Sequence, residues 1–298
     1  MDKNLLFDKY LRKIDYTFRR SGLYLRNREN YNVTKARLLY CFNFILVNLD
    51  VAGSMVWIAK GEAFEDGLVS VTHTAPSAIL ALLCDFKSLS FMWYHDYVDK
   101  LVFKLRELET KMTLNSIAYE TCVEEPIKFL EFALKVSGLS NWLLILAYPL
   151  MPLSISIYNY LVLKKVELVL PFLISYPFDA YDIKIYPFVL LNNFYAETMA
   201  IFWIFSSESF YYTCATFIIV QFRLLQQELR LITPKRSGNK NGRQNEDKDY
   251  ETKIMELINW HQELIEAVNI IETIYSKSTL FNFMSSSAMI CLVGFNVT

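Results

Sequence analysis

The chain has 298 residues, and its 30 basic and 31 acidic side chains leave a net charge of −1. Apolar residues make up 53% of the chain and aromatic residues 15%. This composition is too apolar for a disordered segment, and it lacks the positive charge of a nucleic-acid-binding protein. The mean hydropathy is only +0.22, which indicates that apolar segments alternate with polar, water-facing ones.

Five apolar segments are long enough to cross a membrane, whose ~30 Å hydrocarbon core takes roughly 20 helical residues. In chain order they are 38–59, 68–91, 136–163, 185–222 and 278–298. A soluble protein could hardly bury five such helices around so little polar sequence. We therefore predict an all-α, polytopic transmembrane helical bundle that forms one domain, 1–298, with long cytoplasmic helical extensions.

Basic residues around the first span predict the orientation of the chain. Ten Lys and Arg residues precede Leu38, whereas the loop behind the span has Lys60 against three acidic residues. The positive-inside rule then places the N-terminus in the cytoplasm. It follows that segments 92–135 and 223–277 are cytoplasmic, and that 164–184 is outside. We expect no cleavable signal peptide, because the first apolar run begins only at Leu38.

Two cytoplasmic segments have apolar residues at helical spacing. The first predicts an amphipathic helix and has Trp93, Tyr97, Leu101, Leu105, Leu108 and Met112. The second follows a polar linker, 233–248, and has a heptad-like seam of Ile254, Leu257, His261, Leu264, Val268, Ile271 and Tyr275. Such a seam needs a partner helix, which comes either from the chain's own cytoplasmic helices or from another subunit.

The sequence offers little chemistry for catalysis or metal binding. The three histidines lie far apart, and no pair of cysteines has metal-binding spacing. No G-x-G-x-x-G, P-loop or G-x-S-x-G motif is present. We therefore expect no enzyme, no metal site and no cofactor.

Asp50, Glu197 and Glu208 are acidic residues that fall inside predicted spans. Acids are costly in lipid and normally face a cavity or a polar partner. We expect Asp50 and Glu208 to bond across helices or to reach an interface. Glu197 is the best functional candidate, because Asn192, Asn193, Tyr195 and Thr198 surround it in the sequence.

Spans two, three and four carry hydroxyl and aromatic groups at one predicted depth, in their outer halves. Pro149 and Pro152 should also kink the third span. A mostly apolar pocket with a few polar groups suits a small ligand. The alternative is that these groups only form interhelical hydrogen bonds and an interfacial aromatic belt.

The chain resembles the insect odorant receptors, and in particular lepidopteran ones. The resemblance rests on three segments: VELVLPFLISYPFDAYDIKIYPF, FRLLQQELRLI before a polar linker, and NWHQELIEAVNIIETIYSKSTLFNFMSSSAMICLVGFNVT. Together with a cytoplasmic N-terminus, they match the family over essentially the whole chain in order and spacing.

The resemblance implies a seven-span, odorant-binding subunit of a heteromeric, ligand-gated cation channel. Such a subunit assembles with a shared co-receptor, as a tetramer, in the plasma membrane of olfactory neuron dendrites. It implies a small volatile, mostly apolar ligand and no nucleic-acid partner. Carried over to this chain, the ligand-binding candidates are Thr72, His73, Ser77, Tyr148, Ser154, Tyr158, Tyr195, Glu197, Thr198 and Phe202.

Only five of the family's seven spans are expected in this sequence, and the pore-lining helix would lie beyond Thr298. We expect that the chain as given does not form a conducting pore. Four other functions stay open. They are a gustatory-type receptor of the same superfamily, a pheromone receptor, an ion-coupled membrane transporter that uses Glu197 and Asp50, and an interaction protein that works through the 254–275 seam.

Overall fold

A computed structural model describes residues 5–25, 32–59, 68–112, 116–164, 168–232 and 243–297. Every regular element in these ranges is helical. The elements are α1 (Leu6–Ser21), α2 (Val33–Ala59), α3 (Leu68–Trp93), α4 (His95–Met112), α5 (Ser116–Tyr158), a π-helical turn (Asn159–Leu163), α6 (Tyr186–Leu231) and α7 (Arg243–Val297). The predicted all-α class is confirmed.

Four helical segments are long and apolar enough to cross a membrane. They are Val33–Ala59, Ala75–Trp93, Thr121–Val162 and Tyr186–Leu231, and they coincide with the first four predicted spans. The fifth predicted span, 278–298, forms the C-terminal part of α7, and no further helix of the described ranges meets both conditions. Its passage through the membrane stays a prediction.

Helix α6 is the centre of the fold and packs against all six other helices. Its buried side chains include Trp203, Phe210, Cys214 and Phe217. By contrast, α2 and α5 expose many large apolar side chains, as helices in contact with lipid do; Leu38 of α2, for example, is 67% exposed. The membrane-facing and core-forming helices are therefore different elements of one bundle.

Helix α1, which the sequence analysis did not predict, covers one end of this core. Five apolar side chains at helical spacing, Phe7, Tyr10, Leu11, Ile14 and Phe18, are buried. The helix ends at Gly22, which has a φ of 81°. A β-carbon there would lie 2.5 Å from the backbone nitrogen of Tyr40, so glycine is also required for the close approach of α2.

The predicted amphipathic helix after the second span is α4, but its buried face is narrower than predicted. Leu101, Leu105 and Leu108 are buried, together with Val98 and Val102. The first two residues of the predicted stripe are wrong: Trp93 is 86% exposed and Tyr97 is 45% exposed. Trp93 ends α3 and α4 begins at His95, so the break between the two helices shifts the helical phase.

The predicted seam on α7 packs against the chain's own α3, α4 and α6. Leu264 and Tyr275 are buried as expected, but His261 and Val268 are exposed, which corrects the predicted register. The buried stripe consists of Trp260, Leu264, Ala267, Ile270, Ile274, Tyr275 and Ser278. An α-helix turns every 3.6 residues, so a seam read at a strict 3.5-residue spacing drifts off the buried face.

The predicted linker, 233–248, is only partly tested. Residues 233–242 lie outside the described residues, and α7 begins at Arg243, so the last part of the predicted linker is helical instead. The continuation of the fourth span as FRLLQQELRLI is confirmed, because α6 runs without a break to Leu231.

Candidate functional site

A cleft opens between α2, α3, α5 and α6, next to the segment that joins α5 to α6. We call residues 168–185 of that segment the outer loop, after its predicted side of the membrane. The cleft encloses about 670 Å³ of atom-free space, including its open mouth. Its lining is Val47, Asp50, Val51, Ser54, Ser77, Ala78, Leu80, Ala81, Cys84, Leu144, Tyr148, Phe172, Ile174, Asn193, Ala196, Glu197, Ala200 and Ile201.

The outer loop closes one end of the cleft by packing on α2. Ser175 donates its backbone N–H to the carbonyl of Gly53 over 3.1 Å. A β-carbon at Gly53 would lie 2.4 Å from Ile174 Cγ2, so only glycine permits this contact. On the α5 side, the rings of Phe172 and Tyr148 lie 5.5 Å apart.

Asp50 lies at the outer end of the cleft and has several hydrogen-bond donors. Asn192 Nδ2 donates to both carboxylate oxygens over 3.2 and 3.3 Å, and Tyr176 Oη donates to Oδ1 over 3.4 Å. In the amide orientation that satisfies both ends, Asn193 Nδ2 also donates to Asp50 Oδ2 and to Tyr176 Oη. This network ties α2, α6 and the outer loop together, and burial and the Asp50 charge raise the pKa of Tyr176.

Glu197 lies one turn beyond Asn193 on α6, further into the bundle. It has no hydrogen-bond donors of the kind that surround Asp50. Its Oε1 is buried and accepts no hydrogen bond from any described residue. A buried polar atom without a partner costs about 1–3 kcal/mol, so its presence on a cavity wall calls for an explanation. Glu197 is thus the least satisfied polar group of the cleft.

Three of the ten predicted ligand-binding residues, Ser77, Tyr148 and Glu197, line this cleft. Each comes from a different helix: Ser77 from α3, Tyr148 from α5 and Glu197 from α6. The side chains of Thr72 and His73 lie outside the described residues.

The other five predicted residues do not line this cleft, and their part in ligand binding stays a prediction. Ser154 and Tyr158 are exposed on α5. Tyr195 Oη donates to Asn43 Oδ1 over 2.8 Å, and Thr198 Oγ1 donates to the carbonyl of Phe194. Phe202 packs edge-on against Tyr16 of α1. Depth in the membrane alone does not bring residues to one cleft, because each step along a helix turns a side chain by about 100° onto another face.

The sequence analysis missed the contribution of α2 and of the outer loop. Val47, Asp50, Val51 and Ser54 recur every three to four residues on one face of α2. On α6, Ala196 and Ala200 make room beside Glu197. The spacing of small and polar residues on α2 was the available signal, whereas nothing in the sequence marked Phe172 and Ile174 as wall residues.

Among the described residues, no three His, Cys, Asp or Glu side chains lie close enough together to hold a metal ion. What the cleft offers is an apolar lining with a few polar groups, which is an arrangement suited to binding a small molecule.

The fold matches solved insect olfactory receptors. Over 97% of this chain and 71% of the solved chain, the TM-score with the olfactory receptor OR5 of Machilis hrabei is 0.69 at 16% identity. For the same receptor in complex with eugenol, the TM-score is 0.70 over 98% and 71% of the two chains. At this identity the likeness concerns the fold.

Two sequence comparisons agree with the structural match. Odorant receptor 85c of Drosophila melanogaster is 24% identical over 274 residues, which are 88% of this chain and 65% of the relative. The chain therefore spans about two thirds of the length of that relative. The family model described as 7tm Odorant receptor matches residues 68–298, and the chain belongs to this family of insect odorant receptors.

Proposed function

We propose that this chain is the odorant-binding part of an olfactory receptor subunit, and that the cleft binds a volatile, mostly apolar ligand. The observation that carries this proposal is the cleft itself, an apolar cavity between four helices of an odorant receptor family member. A receptor of the same fold was solved in complex with eugenol, which is a small molecule.

Three residues supply the polar contacts in this proposal. Ser77, Tyr148 and Glu197 project from three helices into one space, while Ala196 and Ala200 keep that space open. A ligand there touches α2, α3, α5, α6 and the outer loop together. If the ligand contacts differ between closed and open arrangements of these helices, its binding shifts the equilibrium toward the better-bound state.

We further propose that the subunit acts in a heteromeric, ligand-gated cation channel with a co-receptor, in the plasma membrane of olfactory neuron dendrites. Large exposed apolar side chains on α2 and α5 support a place in the bilayer. Co-purification with a co-receptor from cells that express both chains tests the assembly. Absence of the complex would contradict it and leave the ligand-binding proposal standing.

The binding proposal is tested on the purified chain in lipid nanodiscs with a panel of volatile alcohols, aldehydes and phenols. Ala200→Phe fills the cleft, and we expect it to weaken binding at least about tenfold, since overpacking a closed site costs roughly 1–3 kcal/mol. Leu191→Phe is the matched control, because Leu191 lies on the same helix but is 64% exposed. Equal loss in both variants, or no loss in either, would contradict this site.

If Ala200→Phe prevents folding, Tyr148→Ala provides a second test. This variant removes a wall of the cleft and should shift the preference toward larger ligands. An unchanged order of affinities across the panel would argue against Tyr148 as a contact.

A further inference from the structure

Glu197 differs from the other acidic residues that lie deep in the spans. Asp50 has donors from three side chains, Asp85 accepts from Asn48 Nδ2 over 3.3 Å, and Glu208 pairs with Lys87 Nζ. Glu197 Oε1 alone among these four residues is buried without a partner. The chain's own side chains thus bind three of these acidic residues, whereas the fourth, Glu197, is open to the cleft.

The lining of the cleft contains no positive charge to balance this carboxyl. Among the described lining residues there is no Lys, Arg or His, while Asp50 and Glu197 both belong to the wall. Asp50 has its own donors, so the uncompensated acceptor is Glu197. A charged carboxylate in an apolar, water-poor site is costly unless a cation or several donors reach it.

The rest of the cleft lining limits which kinds of ligand can supply hydrogen-bond donors to Glu197. Val47, Val51, Leu144, Ile174 and Ile201 belong to the apolar part of the same lining. A hydrated metal cation would lose its water without gaining ligands there, because hard cations need several oxygen ligands. A ligand whose positively charged end donates hydrogen bonds and whose body is hydrocarbon fits both the Glu197 carboxyl and the apolar lining.

We propose that the preferred ligand class of the cleft is a small alkyl or aralkyl amine, whose ammonium group donates to Glu197 Oε1 while its hydrocarbon body lies on the apolar wall. An alkyl amine, like a lysine side chain, is protonated at neutral pH. Its hydrogen bond to the carboxylate is charge-assisted, which makes it stronger than one from an alcohol of equal length. This inference rests on the proposed function, because it names the ligand class of the same cleft.

The test measures equilibrium binding of heptylamine, 1-heptanol and heptanal to the full chain in nanodiscs of neutral phosphatidylcholine. Empty nanodiscs correct for partition into the lipid. We expect heptylamine to bind at least about tenfold more tightly than 1-heptanol. Heptanal, which brings no donor, should bind most weakly.

Glu197→Gln keeps the shape of the side chain and removes its charge. We expect the variant to weaken heptylamine binding about 30-fold or more, since truncating one partner of a buried charge pair costs at least ~2 kcal/mol. Its affinity for 1-heptanol should change less than about threefold. Glu124→Gln is the matched control, because Glu124 is exposed and pairs with Lys128 on the surface of α5, and it should leave all three affinities unchanged.

The possible outcomes separate the two proposals. Binding of the alcohol and the aldehyde without preference for the amine would overturn the amine inference and leave the odorant-binding proposal standing. An amine affinity that survives Glu197→Gln would also overturn it. No binding of any of the three compounds would contradict both. If Glu197→Gln does not fold, the amine-to-alcohol ratio of the unmodified chain still decides the inference.

Discussion

The two ends of the bundle differ in how they place a buried carboxyl group. At the inner end, where α1, α4 and α7 meet α6, the carboxylate of Glu109 has donors from the chain itself, although side-chain atoms of His95, Arg106, Gln221 and Trp260 are buried there without a partner among the described residues. At the outer end, between α2, α3, α5 and α6, a cleft is open and its wall holds the unpartnered Glu197. One end is built to hold the fold together, and the other has room and an unmet acceptor for a ligand.

Glu109 shows how the inner end provides donors for a buried carboxylate. Its carboxylate is 1% exposed and accepts from the backbone N–H groups of Leu6 and Phe7 and from Tyr119 Oη, at 2.8, 3.1 and 2.9 Å. It therefore caps the first turn of α1 from α4, which is 103 residues away along the chain. Arg106 pairs with Asp8 at the same junction, so the first turn of α1 is held by two side chains of α4.

The aromatic core of the inner end should give the largest effect on stability. Phe18 is 1% exposed and lies 5.3 Å from Phe91 and 6.3 Å from Phe210, ring centre to ring centre. Phe18→Ala should lower the free energy of unfolding by about 3–5 kcal/mol, through the cavity and the lost contacts. Thermal unfolding in detergent, followed by tryptophan fluorescence, measures this. Phe188→Ala, at a position 73% exposed, should change little, and equal effects would contradict the difference.

Glu109→Gln should give the next largest effect. An amide has one acceptor oxygen for three donors, and a buried donor without an acceptor costs about 1–3 kcal/mol. Burial raises the pKa of the Glu109 carboxyl above 4.5, although its three hydrogen bonds oppose this. The folded chain therefore holds a proton that the unfolded chain has released, and stability falls as the pH rises from 4.5 to the raised value. The variant should lack this decrease of stability with rising pH. If the decrease persists in the variant, it originates from another group.

Gly53→Ala tests the packing of the outer loop on α2 at the outer end of the bundle. Alanine normally stabilises a helix by about 1 kcal/mol relative to glycine, but here its β-carbon would lie 2.4 Å from Ile174 Cγ2. We expect a net loss of roughly 1 kcal/mol and weaker ligand binding, because the outer loop must move away from α2. Gly138→Ala is the control, since its β-carbon meets only Phe205 at an ordinary 3.8 Å. Stabilisation by both variants would show that the loop does not seal the cleft.

The smallest expected effect concerns the ion pairs on the surface of the inner end. Glu266 of α7 pairs with Lys100 and Lys104 of α4, and these hydrogen bonds lower the pKa of Glu266 to about 2. The stability from this contact is present above pH 4.5 and is lost as the pH falls toward 2. Glu266→Gln should flatten the acid limb of the unfolding curve only slightly, because the site is partly exposed and screened. High salt should reduce the effect further, and a salt-insensitive change would contradict this origin.

Much of the architecture could be predicted from local sequence. The runs that start near Leu38 and Pro187 are apolar over lengths that water-soluble helices rarely have, so length and hydropathy sufficed to place them. Helix α1 was not predicted, because it is a short amphipathic segment before the first span and carries seven basic and acidic residues between its apolar ones. Its apolar positions were visible, but only contact with Phe91, Phe210 and Phe217 shows what they bury.

The site was harder to predict than the helices. Glu197 stood out in the sequence, because an acid inside a span needs a partner or a cavity. Of its neighbours along the chain, Tyr195 bonds to Asn43 of α2 and Thr198 to the backbone of its own helix, whereas Phe172 reaches the cleft from the outer loop. Local periodicity gives the faces of one helix relative to each other, but it does not say which face meets which neighbour.

The sequence by itself determined that this chain is a helical membrane bundle, because hydrophobic length and charge are local properties of the chain, and three of its segments carried the resemblance to odorant receptors. Only the tertiary structure decided which polar groups are satisfied and which are not. Asp50 and Glu197 look alike in the sequence, as acids inside apolar spans. Packing supplies Asn192 and Tyr176 to the first and none of the described residues to the second, since hydrogen-bond partners across helices depend on how distant segments meet.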